Sequence, residues 1–207
     1  MSQNEYHSFD LKNGYGLPHD PLNSLVGPRP IGWISSQGSD GSINLAPYSF
    51  FNAFNYKPPI IGFCSTGPKN TLRNIQETGE FVWNLVTRPL VEKMNQTSAP
   101  VPYGTDEFEL VGLAKTPSML VKPPRVSESL VSLECKLTQI LQLKTKEGND
   151  VTSWLILGEV IAGHIHHSTL KQGIFDTFSA GVVLRAGGPT AYSEVLPETR
   201  FDLHRPT

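Results

Sequence analysis

Two strand-type segments, Leu130 to Leu143 and Thr152 to His166, are joined through Lys146-Glu147-Gly148-Asn149-Asp150, a stretch of hairpin composition. Strands of that length joined in that way make a wide antiparallel ribbon. Such a ribbon needs a second layer or a closed sheet to bury its apolar face, so it favours an antiparallel barrel over a doubly wound α/β layout. No GxGxxG follows the first strand, which also argues against a Rossmann domain.

The rest of the chain reads as shorter strands and a few short helices. Gly27-Pro28-Arg29-Pro30 is a turn signal that feeds a strand over Ile31 to Ser36. Gly38 and the Asp40-Gly41 pair then supply the positive φ of a hairpin, and Lys57-Pro58-Pro59 breaks the chain before a short buried-type strand, Ile60 to Ser65. Leu72 and Ile75 lie at helical spacing, with a start near Asn70 or Thr71 and a stop at Gly79. Glu80 to Val86 reads as a strand. Thr87 can cap a helix that carries Leu90, Val91 and Met94 on one side, and another brief helix fits Asp106 to Leu110 inside a Pro-rich excursion from Ser98 to Pro124. At 207 residues the chain suits one large domain, with residues 1–20 as a polar N-terminal arm and residues 21–207 as the barrel domain.

Charge and cysteine content narrow the partners. Lys plus Arg number 17 against 19 Asp plus Glu, so nothing draws the chain to nucleic acid or to an anionic membrane surface. Cys64 and Cys135 form no CxxC, which argues against a disulfide scaffold or a structural zinc site. His164 and His166 would share a strand face, but no third ligand stands at a diagnostic spacing, so no metal is expected. No stretch approaches the roughly 20 apolar residues of a membrane span, and the expectation is a soluble, cytoplasmic protein with a small-molecule ligand.

Two stretches look like ligand-binding elements. Asn44 to Asn55 mixes three Phe and one Tyr with small and amide residues, and Pro47 interrupts any regular ladder. Rings there can cover a flat heterocycle, while main-chain N–H groups beside Ala46, Tyr48 and Ser49 and the amides of Asn44 and Asn52 can bond its polar edge. A core turn that happens to be aromatic is the plain alternative. The second stretch, Ser65 to Thr71, places Lys69 and the hydroxyls of Ser65, Thr66 and Thr71 around a helix start, which is an anion site in outline. A capped surface helix with a solvated lysine has the same pattern.

Taken in order, several segments resemble the flavin reductase-like, FMN-binding split-barrel flavoproteins. They are Pro28 through Ser36, Gly41 through Asn52, Pro58-Pro59, Lys69-Asn70-Thr71 with Asn74-Ile75, Gly79-Glu80-Phe81 with Asn84, and Glu134-Cys135. The chain is most similar to the branch holding flavoredoxin-like proteins and reductase components of nitrilotriacetate monooxygenase. That resemblance implies a six-stranded Greek-key split β-barrel with peripheral α-helices, usually a homodimer with flavin near the subunit interface. It places Ser35 and Ser36 near the ribityl and phosphate side, Ala46, Pro47, Tyr48, Ser49, Phe50 and Asn52 along the isoalloxazine, and Ser65, Lys69 and Thr71 on the phosphate. Asn70 departs from the family's usual Asp, and its amide retains the ability to cap a helix.

The chemistry implied is that of FMN, reduced by NADH or NADPH or exchanging electrons with a monooxygenase or other redox partner. No side-chain acid or base is then obligatory. Arg29 stands between a phosphate role and a structural one, Trp33 and Trp83 read as core, Cys64 as a small buried hydrophobe, and Arg185 and Tyr192 as tail residues that reach the flavin across a dimer in matching family members. A non-catalytic flavin-binding module and a pyridoxamine-phosphate-oxidase-like enzyme are the competing readings.

Overall fold

The computed structural model describes residues 5–206. Seven strands form one antiparallel sheet: β1 (Gly32–Gln37), β2 (Ile43–Tyr48), β3 (Phe51–Asn55), β4 (Ile60–Thr66), β5 (Glu80–Asn84), β6 (Val131–Lys144) and β7 (Asp150–Ile165). Their order across the sheet is β2-β1-β5-β6-β7-β4-β3. The two outermost strands, β2 and β3, are therefore consecutive in the chain and separated only by Ser49 and Phe50. Two residues span only about 7 Å when fully extended, so the sheet must curl until its edges meet. The result is a barrel left open along one seam, and the Asn44 to Asn55 stretch runs along both lips of that seam. The count is seven strands where six were expected, because Phe51–Asn55 pairs with β4 as a strand of its own.

Period-two alternation divides the core in two. Trp33 and Leu45 face a cluster with Val91, Met94, Phe108 and Val183, whereas Ile34 and Tyr48, one and three positions further along their strands, face a cluster with Phe63, Ile75, Phe81 and Ile156. Trp33 and Trp83 are packing residues. Trp33 is fully buried and its indole N–H donates to Thr97 Oγ1 at 3.0 Å; Trp83 stacks on Phe51 at 5.6 Å and donates to the Ile31 carbonyl at 2.9 Å. Gly158 on β7 is glycine for a spatial reason: a Cβ there would sit 2.4 Å from the Phe81 ring.

Helix α1 (Asn70–Thr78) packs Leu72 and Ile75 into the second cluster and stops at Gly79, whose φ of +68° and N–H bond to the Ile75 carbonyl at 2.8 Å form the C-cap. After β5 the chain passes through a 3₁₀ turn, Arg88–Leu90, into α2 (Val91–Gln96), which buries Val91 and Met94. Thr87 precedes that turn, but its side chain caps nothing. The Pro-rich excursion carries α3 (Glu107–Leu110), capped by Asp106, and Phe108 anchors it in the first cluster. A small sheet of Arg29–Pro30, Val183–Arg185 and Tyr192–Glu194 brings the C-terminal region back beside β1. Of the expected N-terminal arm, residues 1–4 lie outside the described residues; the rest is mostly exposed, with one 3₁₀ turn at Leu11–Asn13. Thr207 likewise lies outside them. No helix among the described residues is long and apolar enough to cross a membrane.

Candidate functional site

The helix start comes first, because its donors are free. Lys69 is the N-cap residue of α1, in extended backbone, and no side chain caps the helix. The N–H groups of the first turn are thus left to whatever enters the space beyond them. Asn70 is the first helical residue, in line with the helix start read from the sequence, and its amide does not serve as a cap. The Lys69 ammonium lies 5.9 Å from the Tyr48 ring centroid and makes no ion pair among the described residues.

That space is a cleft of about 260 Å³, lined on one side by Lys69, Asn70 and Thr71 and on another by Asn44, Ala46, Pro47 and Tyr48 of β2. The two stretches singled out in the sequence therefore share one cleft, at the seam of the barrel. Thr97 at the end of α2, with Ser98 to Val101 and Glu107 from the Pro-rich excursion, completes the wall. Tyr48 packs against Phe63 at 4.5 Å, and its hydroxyl is buried without a hydrogen-bond partner. The hydroxyls of Ser65 and Thr71 lie beside it; Ser65 donates to the Gly67 carbonyl at 2.9 Å, and Thr71 Oγ1 is 2.8 Å from the Asn44 amide. Burial pushes the Tyr48 phenol up to about 12, so it is a neutral donor throughout the physiological range.

A second cleft, of about 290 Å³, adjoins the first at Pro47 and Ser98 and is lined further by Ser49, Asn95, Arg185 and Tyr192. Arg185 and Tyr192 stand next to Ser49 within the same chain, with the guanidinium 4.9 Å from the Tyr192 ring centroid and bonded to the carbonyls of Gly188, Pro189 and Ala191.

Other sequence candidates lie elsewhere. Ser35 and Ser36 are buried on opposite faces of β1: Ser35 donates to the Pro124 carbonyl and Ser36 accepts from the Asn74 amide at 3.2 Å. Arg29 spends its N–H groups on the carbonyls of Asn23, Val26 and Ser49 and lies 5.4 Å from the Phe50 ring centroid. Arg29, Phe50 and Asn52 line a separate outer cleft with Phe54, Cys64 and Leu155. The aromatic stretch is therefore divided by the Ser49-Phe50 turn. Alternation along β4 likewise sends Cys64 to the outer cleft and Ser65 inward, and burial raises the Cys64 thiol. His164 bonds buried Glu134 at 2.6 Å, whereas His166 lies beyond the end of β7 and bonds Ser168, so the two do not share a strand face.

The edge of β2 revises which main-chain groups are free. Leu45 N–H points away from β1 and donates to Glu107 Oε2 at 2.9 Å. Antiparallel alternation then turns Ala46 and Tyr48 toward β1. Their N–H groups belong to the ladder, and Pro47 falls where an N–H would face the seam. Glu107 was not among the sequence candidates. It is buried, and desolvation, offset in part by the Leu45 N–H and with a smaller contribution from nearby Asp106, raises its carboxyl above the usual range. Nothing in the local sequence of α3 marks it, because its partners are on β2.

A barrel left open along one seam, with an uncapped helix start and a lysine in the cleft beside it, defines a protein of the split-barrel class. The chain belongs to the flavin reductase-like family: the flavin reductase like domain matches residues 27–180. It is 36% identical over 208 residues to an uncharacterised protein of Halalkalibacterium halodurans, covering 97% of this chain and 94% of that one. Among solved structures it is similar to nitrilotriacetate monooxygenase component B from Bacillus cereus, with a TM-score of 0.82, 28% identity and 98% of each chain covered. It is also similar to the Pseudomonas fluorescens 2-nitrobenzoate 2-nitroreductase NbaA, with a TM-score of 0.78, 30% identity, and 90% of this chain and 89% of that one covered.

Proposed function

We propose that the chain binds FMN in the seam cleft and works as an NAD(P)H:flavin oxidoreductase or flavin-dependent electron-transfer protein. The observation that carries this reading is the meeting of three unsatisfied groups at one cleft: the uncapped first turn of α1, the Lys69 ammonium and the orphaned Tyr48 hydroxyl. A phosphorylated ligand would satisfy the first two, and Tyr48 lines the same cleft. Lys69, Asn70 and Thr71 would hold the phosphate, where main-chain donors and a positive helix end favour a dianion. Pro47 and Ser49 would guide the ring toward the second cleft. FMN, when bound, would supply the hydride and one-electron chemistry. The protein's part is to orient the ligand, to keep water off its face and to neutralise its charge, and no acid or base of the chain is assigned a catalytic step.

Two measurements test it. Purified protein mixed with FMN should show a perturbed flavin spectrum and micromolar or tighter binding, and anaerobic NADH or NADPH should bleach the bound flavin. No binding sinks the proposal; binding without reduction by either donor leaves a flavin-binding module. Lys69→Ala should weaken FMN about 10- to 100-fold while leaving riboflavin nearly unchanged, the loss expected of one charge-assisted contact. Equal losses for both ligands would remove Lys69 from the phosphate.

A further inference from the structure

The cleft wall contains a buried hydrogen-bond chain, Glu107, Asn44 and Thr71, of which the flavin reading uses only Thr71. The Asn44 amide lies 2.8 Å from Thr71 Oγ1 and, on its other side, 3.2 Å from Glu107 Oε1, while Glu107 Oε2 accepts from Leu45 N–H. All three residues are buried, and all three line the cleft. An amide between a carboxyl and a hydroxyl can transmit a proton's presence, because its two ends have opposite polarity.

With Glu107 ionised, the Asn44 NH₂ donates to the carboxylate, and its oxygen accepts from the Thr71 hydroxyl. Thr71 then turns only lone pairs to the cleft, which is the wrong polarity for an anion. With Glu107 protonated, its O–H donates to the Asn44 oxygen, and the Asn44 NH₂ donates to Thr71 Oγ1. The Thr71 proton is then released to point into the cleft as a donor. One proton is gained at Glu107 and none is lost elsewhere.

We infer that Glu107 acts as a positioning residue that sets the hydrogen-bonding sense of Thr71 through Asn44, so that an anion held at the start of α1 is captured together with one proton. This rests on the proposed flavin reading. The groups facing Glu107 allow the linkage. On its own helix, Asp106 adds like charge but is paired with Lys115 at 2.6 Å, and Glu109 bonds the same lysine at 3.1 Å. From β2 come only the Leu45 N–H, the Asn44 amide and the neutral Tyr48 phenol, and from the start of α1 come Thr71 and Lys69. No cation bridges to Glu107 among the described residues, and burial already disfavours its charge.

The test is calorimetric titration of FMN and riboflavin into the wild type and Glu107→Gln, between pH 6 and 9, in two buffers of different ionisation enthalpy. Glutamine keeps the Leu45 bond through its carbonyl and donates its NH₂ to Asn44, fixing Thr71 as a donor. Wild type should take up as much as one more proton per FMN than the variant, and its FMN affinity should fall by as much as an additional tenfold per pH unit above the titration of Glu107. Riboflavin, lacking the phosphate, should show no such difference between the proteins. Equal proton uptake for FMN in both proteins overturns the inference while leaving the flavin reading intact; failure of the wild type to bind FMN at any pH overturns both. Should Glu107→Gln not fold, Thr71→Val takes its place. That variant should lose the additional proton uptake, and uptake equal to the wild type's overturns the inference.

Discussion

Tyr48 is subject to two opposite demands. Its ring is core, packed on Phe63, yet its hydroxyl is buried without a partner, and an unsatisfied buried donor costs about 1–3 kcal/mol. Tyr48→Phe removes that cost, so the ligand-free protein should melt at an equal or higher temperature, while FMN affinity falls severalfold. A variant that melts lower and binds FMN as well as the wild type would mean the hydroxyl serves the fold alone. At this scale the sequence was legible where a residue's role is local. Lys69 and Thr71 sit at a helix start that Leu72, Ile75 and Gly79 delimit, and the structure puts them on the cleft. It was not legible for Ser35, Ser36 and Arg29, whose partners at Pro124, Asn74 and Asn23 are set by tertiary packing. Glu107 was missed for the same reason: its main-chain partner, Leu45, is 62 residues away.

The loop from Ser118 to Pro124 buries Val121, Pro123 and Pro124 and is held as well by buried carboxylates that accept from its main chain. Glu134 on β6 accepts from the N–H groups of Met119 and Leu120, each at 2.7 Å, as well as from His164, and Glu80 on β5 accepts from Lys122 N–H at 2.8 Å and from Lys136. Burial alone would raise the Glu134 carboxyl, but the Met119, His164 and Leu120 donors together hold it below the usual range. A depressed carboxyl stabilises the fold above its unfolded-state value near 4.3, and that contribution is lost as pH falls through the folded value. Glu134→Gln should therefore cost about 1–3 kcal/mol at pH 7, with the deficit narrowing below pH 4 in urea titrations. A pH-independent deficit would mean that packing, not charge, is what the substitution disturbs. The strands and helices themselves were largely legible, because alternation and glycine stops are local signals. The anchoring of this loop was not, since Glu80 and Glu134 look like ordinary strand residues until β5 and β6 are paired.

Curling the sheet until β2 meets β3 leaves the outer surface of the barrel with apolar groups that a lone chain does not cover. Phe54 and Tyr56, at 53% and 84% exposure, lie on or beside edge strand β3, and Leu141 and Leu143 are exposed on the far half of β6. An edge strand with uncovered aromatic residues is a template for association. We propose that a second copy of the chain covers this surface, as expected of the homodimer implied by the family resemblance. Sedimentation should give a particle of twice the 22.8 kDa chain mass. Phe54→Asp should shift it toward monomer with little change in the far-ultraviolet spectrum, because the side chain it replaces is not in the core of the isolated chain. If FMN also depends on the second copy, as an interface position requires, its affinity should fall with protein concentration through the same range in which the dimer dissociates. Binding that stays constant across that range would place the whole flavin site within one barrel.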